Sequence, residues 1–180
     1  MPELPEVETV RKGLEERLRG FHIHKIDVCR ERLVASPGGS AEFIQRMTGS
    51  YVGKWQRRGK YLIACIHKEP LYEKCSPEIS GWWGVHLRMT GQFHWYEEET
   101  SPCPHTRVRL WNKKGAELRF IDVRSFGQMW WVPPQSSPER IINGLNNLGP
   151  EPFSNEFNSK YLRKCLKGKT RPIKSALLDQ

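Results

Sequence analysis

Apolar residues recur at three- and four-residue spacing in residues 5–19, at Val7, Val10, Leu14 and Leu18, and Gly20 follows as a stop. That spacing predicts an amphipathic helix. Residues 21–28 read as a strand, and Ser40 is placed to cap a short helix ending at Met47, with Phe43, Ile44 and Met47 on one face. Beyond Met47 the period changes to two. Residues 52–55, 61–66, 82–87, 92–96, 106–111, 116–121 and 128–132 read as strands, with the clearest alternation in 106–111 and 116–121 and a turn between those two at Lys113-Lys114-Gly115. Seven or eight short strands behind a leading helix predict an antiparallel sandwich rather than a parallel sheet. Residues 67–80, with Pro70 and Pro77, are longer and more polar than a hairpin needs and read as a surface insertion. Pro133-Pro134-Gln135-Ser136-Ser137 reads as a linker. Helical patterning then returns over 138–148, is broken by Gly149-Pro150-Glu151-Pro152, and restarts at Ser154 or Asn158 with Tyr161, Leu162, Cys165 and Leu166 on the apolar side. A last helix-like stretch, 173–180, stops without a cap. The predicted fold is α+β and mainly β: a two-layer sandwich with its leading helix over 1–132, a linker at 133–137, and the start of a helical domain, read as incomplete, over 138–180.

Charge narrows the partner. The 180 residues carry a net +9, an excess that favours a polyanion, and nucleic acid above an anionic membrane surface. No apolar run is long enough to span a bilayer, and the N-terminus is acidic rather than built like a signal peptide. A monomer of the cytosol or an organelle matrix, without a membrane partner, is expected. The five cysteines, Cys29, Cys65, Cys75, Cys103 and Cys165, form no C-x-x-C pair, so reduced thiols and no zinc site are expected in this chain. Between Glu156 and Asp179 lie Lys160, Arg163, Lys164, Lys167, Lys169, Arg171 and Lys174 with no acidic residue. A solvated face would explain the run, but its density favours phosphate contact.

Chemistry concentrates at the first residues, Met1-Pro2-Glu3-Leu4-Pro5-Glu6-Val7-Glu8. If Met1 is removed, Pro2 becomes a secondary amine on a rigid ring. An α-amino group has a pKa of about 8 against roughly 10.4 for lysine, so part of it is unprotonated and able to attack a carbonyl or acetal carbon. Glu3 beside it can move the proton such a step needs. Helix initiation explains Pro5, Glu6 and Glu8 equally well. Three further constellations lie at strand ends. Arg57-Arg58-Gly59-Lys60 would put three cations at a strand mouth, or be a charged turn. His86-Leu87-Arg88-Met89-Thr90-Gly91 presents His86, Arg88 and Met89 at a turn, or buries a core methionine. Asp122-Val123-Arg124-Ser125-Phe126-Gly127 offers a long cation and an aromatic wedge, a pair suited to filling the gap left by an extruded base.

In this order, together with Leu148-Gly149-Pro150-Glu151-Pro152, these motifs resemble the formamidopyrimidine-DNA glycosylase family over nearly the whole chain. The resemblance implies excision of oxidised purines such as 8-oxoguanine and formamidopyrimidines, followed by AP lyase cleavage through a Schiff base on Pro2 and successive β- and δ-eliminations. Glu3 would be the general acid at the sugar and Glu6 would help set the site. Lys60 would hold a phosphate beside the lesion, and His86 a second one. Met89, Arg124 and Phe126 would enter the duplex, with Arg124 facing the orphaned cytosine and Lys174 among the DNA-binding cations. Ser125 departs from the arginine often found there. The resemblance also implies a helix-two-turn-helix domain, which this chain would only begin, and a C-terminal zinc finger, whose structural zinc and four cysteines it would lack. Double-stranded DNA carrying oxidised purines or abasic sites is the implied partner. Two other readings stand beside this one: an endonuclease VIII-like enzyme preferring oxidised pyrimidines, and a DNA-binding fragment that does not catalyse.

Overall fold

A computed structural model describes residues 1–71 and 78–177. After the leading helix α1 (Leu4–Leu18) come β1 (Lys25–Val28), a 3-10 turn (Glu31–Leu33) and α2 (Gly39–Met47). Seven more strands follow: β2 (Tyr51–Arg58), β3 (Tyr61–His67), β4 (Ile79–His86), β5 (Gly91–Tyr96), β6 (Thr106–Trp111), β7 (Glu117–Asp122) and β8 (Gln128–Val132). Four short helices close the chain: α3 (Pro138–Ile141), α4 (Asn143–Asn146), α5 (Ser159–Leu166) and α6 (Ile173–Leu177). The strands form two antiparallel sheets, ordered β1-β6-β7-β5 and β2-β3-β4-β8. The two-layer sandwich with a leading helix is thus present, mainly β as its patterning predicts.

A row of aromatic rings spans the interior: Trp55 and Trp83 lie 5.1 Å apart in one sheet, Phe93 and Phe120 5.1 Å apart in the other, and the edge-to-face pair of Trp83 and Phe93, 6.1 Å apart, crosses between them. Such contacts add direction to a core otherwise held by area alone. From α1, Val7, Leu14 and Leu18 are buried in it, while Val10 packs at its margin. On the other face of the β2-β3-β4-β8 sheet, Tyr61, Ile63, Trp130 and Val132 form a second cluster with Ile142 and Leu145. This seam explains why β3 is apolar almost throughout: both of its faces are covered. Glycines set how closely the layers approach, since a Cβ at Gly84 would meet Ile142 and one at Gly144 would strike the Tyr61 hydroxyl.

Several local expectations are corrected. Residues 21–28 do not form one strand. Gly20 and Ile23 donate to Val52 and Ser50 beside β2, whereas His24 donates to Trp111 beside β6, so the segment changes sheets and only Lys25–Val28 pairs as a strand. Gly38, with φ 82°, caps α2, and Ser40 falls inside its first turn. Thr106–Trp111 alternates as predicted, but Glu117–Asp122 does not, because Glu117 and Arg119 are both 1% exposed. Glu117 accepts at 2.6 Å from both Arg109 and Arg119, and the Arg119 guanidinium lies 4.1 Å from the Tyr96 ring centre and donates to the carbonyls of Thr100 and Ser101. Burial raises the Glu117 carboxyl, but the bonds from Arg119 and Arg109 outweigh it and hold the group below its usual range. The predicted helix over 138–148 is broken at Ile142, which turns inward to 1% exposure with φ −99° and ψ 86°. Asn158 does cap α5, accepting from the Tyr161 N–H at 3.0 Å. The apolar side of α5 lines a cavity of about 240 Å³ shared with Leu4, Leu148 and Phe157. Within the predicted insertion, residues 72–77, including Cys75, lie outside the described residues, as do residues 178–180 of the last predicted helix. No helix among the described residues is long and apolar enough to cross a membrane.

Candidate active site

Glu3 is the residue before α1, in extended conformation, and Pro5 occupies the first turn, where a missing N–H costs nothing. Glu6 Oε2 accepts the Glu3 N–H at 2.9 Å, taking up one of the donors a helix start leaves unpaired. Half-buried Pro2 is thereby fixed just ahead of the helix. The Glu3 carboxylate points across to the β2–β3 turn, where its Oε2 is 2.9 Å from Lys60 Nζ. Lys60 follows Gly59, whose φ of 56° makes the tight β2–β3 turn.

Of the three cations expected at this strand mouth, only Lys60 faces the site. Arg57 pairs with Glu8 of α1 at 3.2 Å and with Glu151 at 2.7 Å. Arg58 pairs with Glu151 at 3.2 Å and donates to the carbonyls of Leu148 and Gly149 at 3.1 and 2.7 Å. Glu151 also accepts the Gly59 N–H at 2.6 Å. The carboxylate of the Leu-Gly-Pro-Glu-Pro motif therefore ties the turn carrying Lys60 to the helical segment. Burial pushes Glu151 up, but the bonds from Arg57, Gly59 and Arg58, reinforced by the charge of Arg57, hold it below the ordinary carboxylate value.

Beside Lys60 opens a cavity of about 260 Å³ lined by Met1, Lys60, Tyr61, His86, Arg88, Gly144, Asn147 and Leu148. His86 is 7% exposed and edge-on to Tyr61, with ring centres 4.5 Å apart. Burial, with lesser repulsion from Arg88 and Lys60, lowers its pKa to about 4. Its Nδ1 accepts the Arg88 N–H at 3.0 Å, which assigns the ring proton to Nε2. At neutral pH His86 is therefore a neutral N–H donor at the cavity wall.

A shallower depression of about 460 Å³ shares Met1 and Arg88 with this cavity and adds Met89, Phe126 and Gln128. Met89 and Phe126 are 39% and 49% exposed, large apolar side chains facing solvent beside a cationic site. The Arg124 guanidinium lies 4.7 Å from the Phe126 ring centre. The fold thus brings Pro2, Glu3, Glu6, Lys60 and His86 into one cluster and places Met89, Arg124 and Phe126 next to it. Lys174 lines neither depression and is exposed on α6, on the basic stretch that begins at α5. Asn147 and Gly144 carry no signal in the sequence, whereas the anchoring role of Glu151 is signalled by the Leu-Gly-Pro-Glu-Pro motif. Among the described residues there is no group of three or more His, Cys, Asp or Glu that could hold a metal ion.

Residues 1–129 match the model of the formamidopyrimidine-DNA glycosylase N-terminal domain. The chain is similar to a formamidopyrimidine-DNA glycosylase of Prochlorococcus marinus strain MIT 9313, with 66% identity over 100% of the chain and 63% of the relative. In fold it resembles Lactococcus lactis Fpg in complex with abasic-site DNA, with TM-score 0.83 and 30% identity over 99% of the chain and 61% of that protein. It is likewise similar to Lactococcus lactis Fpg in complex with FAPY-dG-containing DNA, with TM-score 0.82 and 31% identity over 99% of the chain and 61% of that protein. The chain spans a little under two thirds of the length of these relatives.

Proposed function

The chain belongs to the formamidopyrimidine-DNA glycosylase family, and on that premise we propose that it excises oxidised purines from duplex DNA and cleaves the strand at the abasic site so formed. The observation that carries this reading is the meeting of the Pro2-Glu3 helix start with Lys60, 2.9 Å from the Glu3 carboxylate, at the mouth of one cavity. With Met1 removed, the Pro2 nitrogen attacks C1′ of the damaged nucleotide, the bond from C1′ to the base breaks, and the base leaves. Glu3 takes the proton that the Pro2 nitrogen gives up and passes it to the ring oxygen as the sugar opens, leaving an iminium, while solvent protonates the departing base. Loss of a C2′ proton from that iminium expels the 3′ phosphate, and a second elimination expels the 5′ phosphate.

Lys60 is the phosphate ligand of this scheme. A phosphate arriving there competes with Glu3 for the ammonium and frees the carboxyl group to turn toward the sugar. His86 contributes a neutral N–H from its cavity wall. Met89 and Phe126 fill the stack from which the base is drawn, and Arg124 reads the base left opposite. The basic stretch with Lys174 adds charge along the backbone.

Borohydride reduction tests the scheme on duplexes carrying an abasic site or 8-oxoguanine opposite cytosine. The form with a free Pro2 should be trapped as a covalent adduct and the form retaining Met1 should not. Equal trapping of both would move the nucleophile elsewhere, with Lys60 the first suspect. Glu3→Gln should keep abasic-site cleavage better than base excision, and an equal loss on both substrates would contradict the acid role.

A further inference from the structure

Asp122 ends β7 with no exposed surface, yet no step of the chemistry above uses it. Its carboxylate holds two loops together. Oδ1 accepts a short hydrogen bond from the Thr90 hydroxyl, in the turn between β4 and β5, and Oδ2 accepts the Gly127 N–H at 2.7 Å, in the turn between β7 and β8. The Thr90 hydroxyl, having given its proton to Asp122, accepts the Arg124 N–H at 3.1 Å. The chain of bonds therefore runs from Arg124 through Thr90 to Asp122 and on to Gly127. One of the loops it joins carries Met89 and the other carries Arg124 and Phe126.

Both loops need such a constraint. Each contains a non-glycine residue in the left-handed region, Arg88 at φ 54° and Ser125 at φ 55°, a conformation that persists only where surrounding contacts enforce it. The loop bases are packed to contact, since a Cβ at Gly91 or at Gly127 would lie 2.6 or 2.7 Å from the Phe120 ring. Outside this base the bracing is lighter: Arg32 reaches the Ser125 carbonyl at 3.4 Å, and Arg88 donates to Gln128 at 2.6 Å.

We infer that Thr90, held by Asp122, is the positioning residue that aligns Arg124 with the base opposite the lesion. Thr90 does not itself touch DNA: it fixes the backbone from which the reading guanidinium projects, in register with Met89 on its own loop. The inference rests on the glycosylase reading above and names a determinant of that reading's specificity.

The test uses the whole chain with Thr90→Val, which keeps the side chain's shape without its hydroxyl, and Thr90→Ser, which restores the hydroxyl. Single-turnover cleavage is measured at fixed salt on duplexes whose abasic site faces each of the four bases, and borohydride trapping is measured on single-stranded abasic DNA, which has no opposing base. The rate ratio for cytosine over adenine should fall about fivefold or more in Thr90→Val, the lower end of what one good base contact supplies, and hold in Thr90→Ser. Single-strand trapping should be the same in all three proteins. In the DNA-free protein, amide hydrogen exchange at Arg124 should be faster in Thr90→Val than in Thr90→Ser. A ratio unchanged in Thr90→Val, or lost equally in both variants, overturns the inference while parental trapping leaves the glycosylase reading standing. A parent chain that traps no DNA overturns both.

Discussion

Replacing Glu151 by alanine should do more damage than its position in a loop suggests. The carboxylate accepts one backbone N–H, from Gly59 at 2.6 Å, and pairs with Arg57 and Arg58 at 2.7 and 3.2 Å. A hydrogen bond to a charged acceptor contributes ~1.5–3 kcal/mol, and partly exposed ion pairs ~0.2–1 kcal/mol each. Glu151→Ala should therefore cost ~2–5 kcal/mol, most of it at Gly59. Glu151→Gln keeps an acceptor for Gly59 as a neutral bond of ~0.5–1.5 kcal/mol and should lose about half as much. Urea unfolding followed by tryptophan fluorescence measures both differences. The pH dependence has a definite sign: the folded carboxyl lies below its unfolded value, so its contribution is full above about 4.3 and fades as pH falls through the folded pKa. The gap between parent and Glu151→Ala should accordingly narrow below pH ~4. A cost under about 0.5 kcal/mol at neutral pH, within the range of ordinary surface substitutions, would refute the anchoring role.

His86 should impose an acid sensitivity of its own: its pKa of about 4 lies below the ordinary 6.5, so stability is full above pH 6.5 and falls toward pH 4 by up to ~3 kcal/mol. His86→Gln should flatten that slope, and an unchanged slope in the variant would place the sensitivity elsewhere. Arg124→Ala should lower discrimination for cytosine opposite the lesion by about 1–3 kcal/mol, whereas Phe126→Ala should weaken all four pairings together. Binding assays across the four opposing bases separate the two, and an unchanged preference in Arg124→Ala would remove the base-reading role. Glu117→Gln, which strips the counter-charge from Arg109 and Arg119, should cost ~3–5 kcal/mol, and the double change Glu117→Leu with Arg119→Met should recover part of it in urea unfolding. A single-variant cost below ~1 kcal/mol would mean that the network does not bear on stability.

The sandwich was legible because short apolar runs recur between turn residues, a local signal, with alternation clear only at Thr106–Trp111. Misreadings arose where a distant partner decides the outcome. Glu117 and Arg119 look like the solvent side of a strand, and nothing near them in sequence shows that Arg109, Tyr96 and the Thr100 and Ser101 carbonyls cover them. The break at Ile142 depends on space left by Gly84, on a strand far upstream. At the site, Glu3 and Lys60 come from motifs 57 residues apart in the chain, and their side chains lie 2.9 Å apart. Arg57 and Arg58 belong to the same run as Lys60, but they are claimed by carboxylates 49 and 93 residues away. A count of cations in a motif gives the charge available and not the direction each side chain takes.

The seam between Tyr61 and Gly144 makes the cavity's shape a matter of fit between two parts of the fold. Tyr61 belongs to the sheet and Lys60 to the turn before it, Gly144, Asn147 and Leu148 to the helical segment, and all five line the same cavity. A single methyl group at Gly144 would act as a shim. It would strike the Tyr61 hydroxyl and press the ring toward His86, whose ring centre is 4.5 Å away. Size at position 144 is thus a mechanical setting for how the helical segment seats against the sheet beside Lys60.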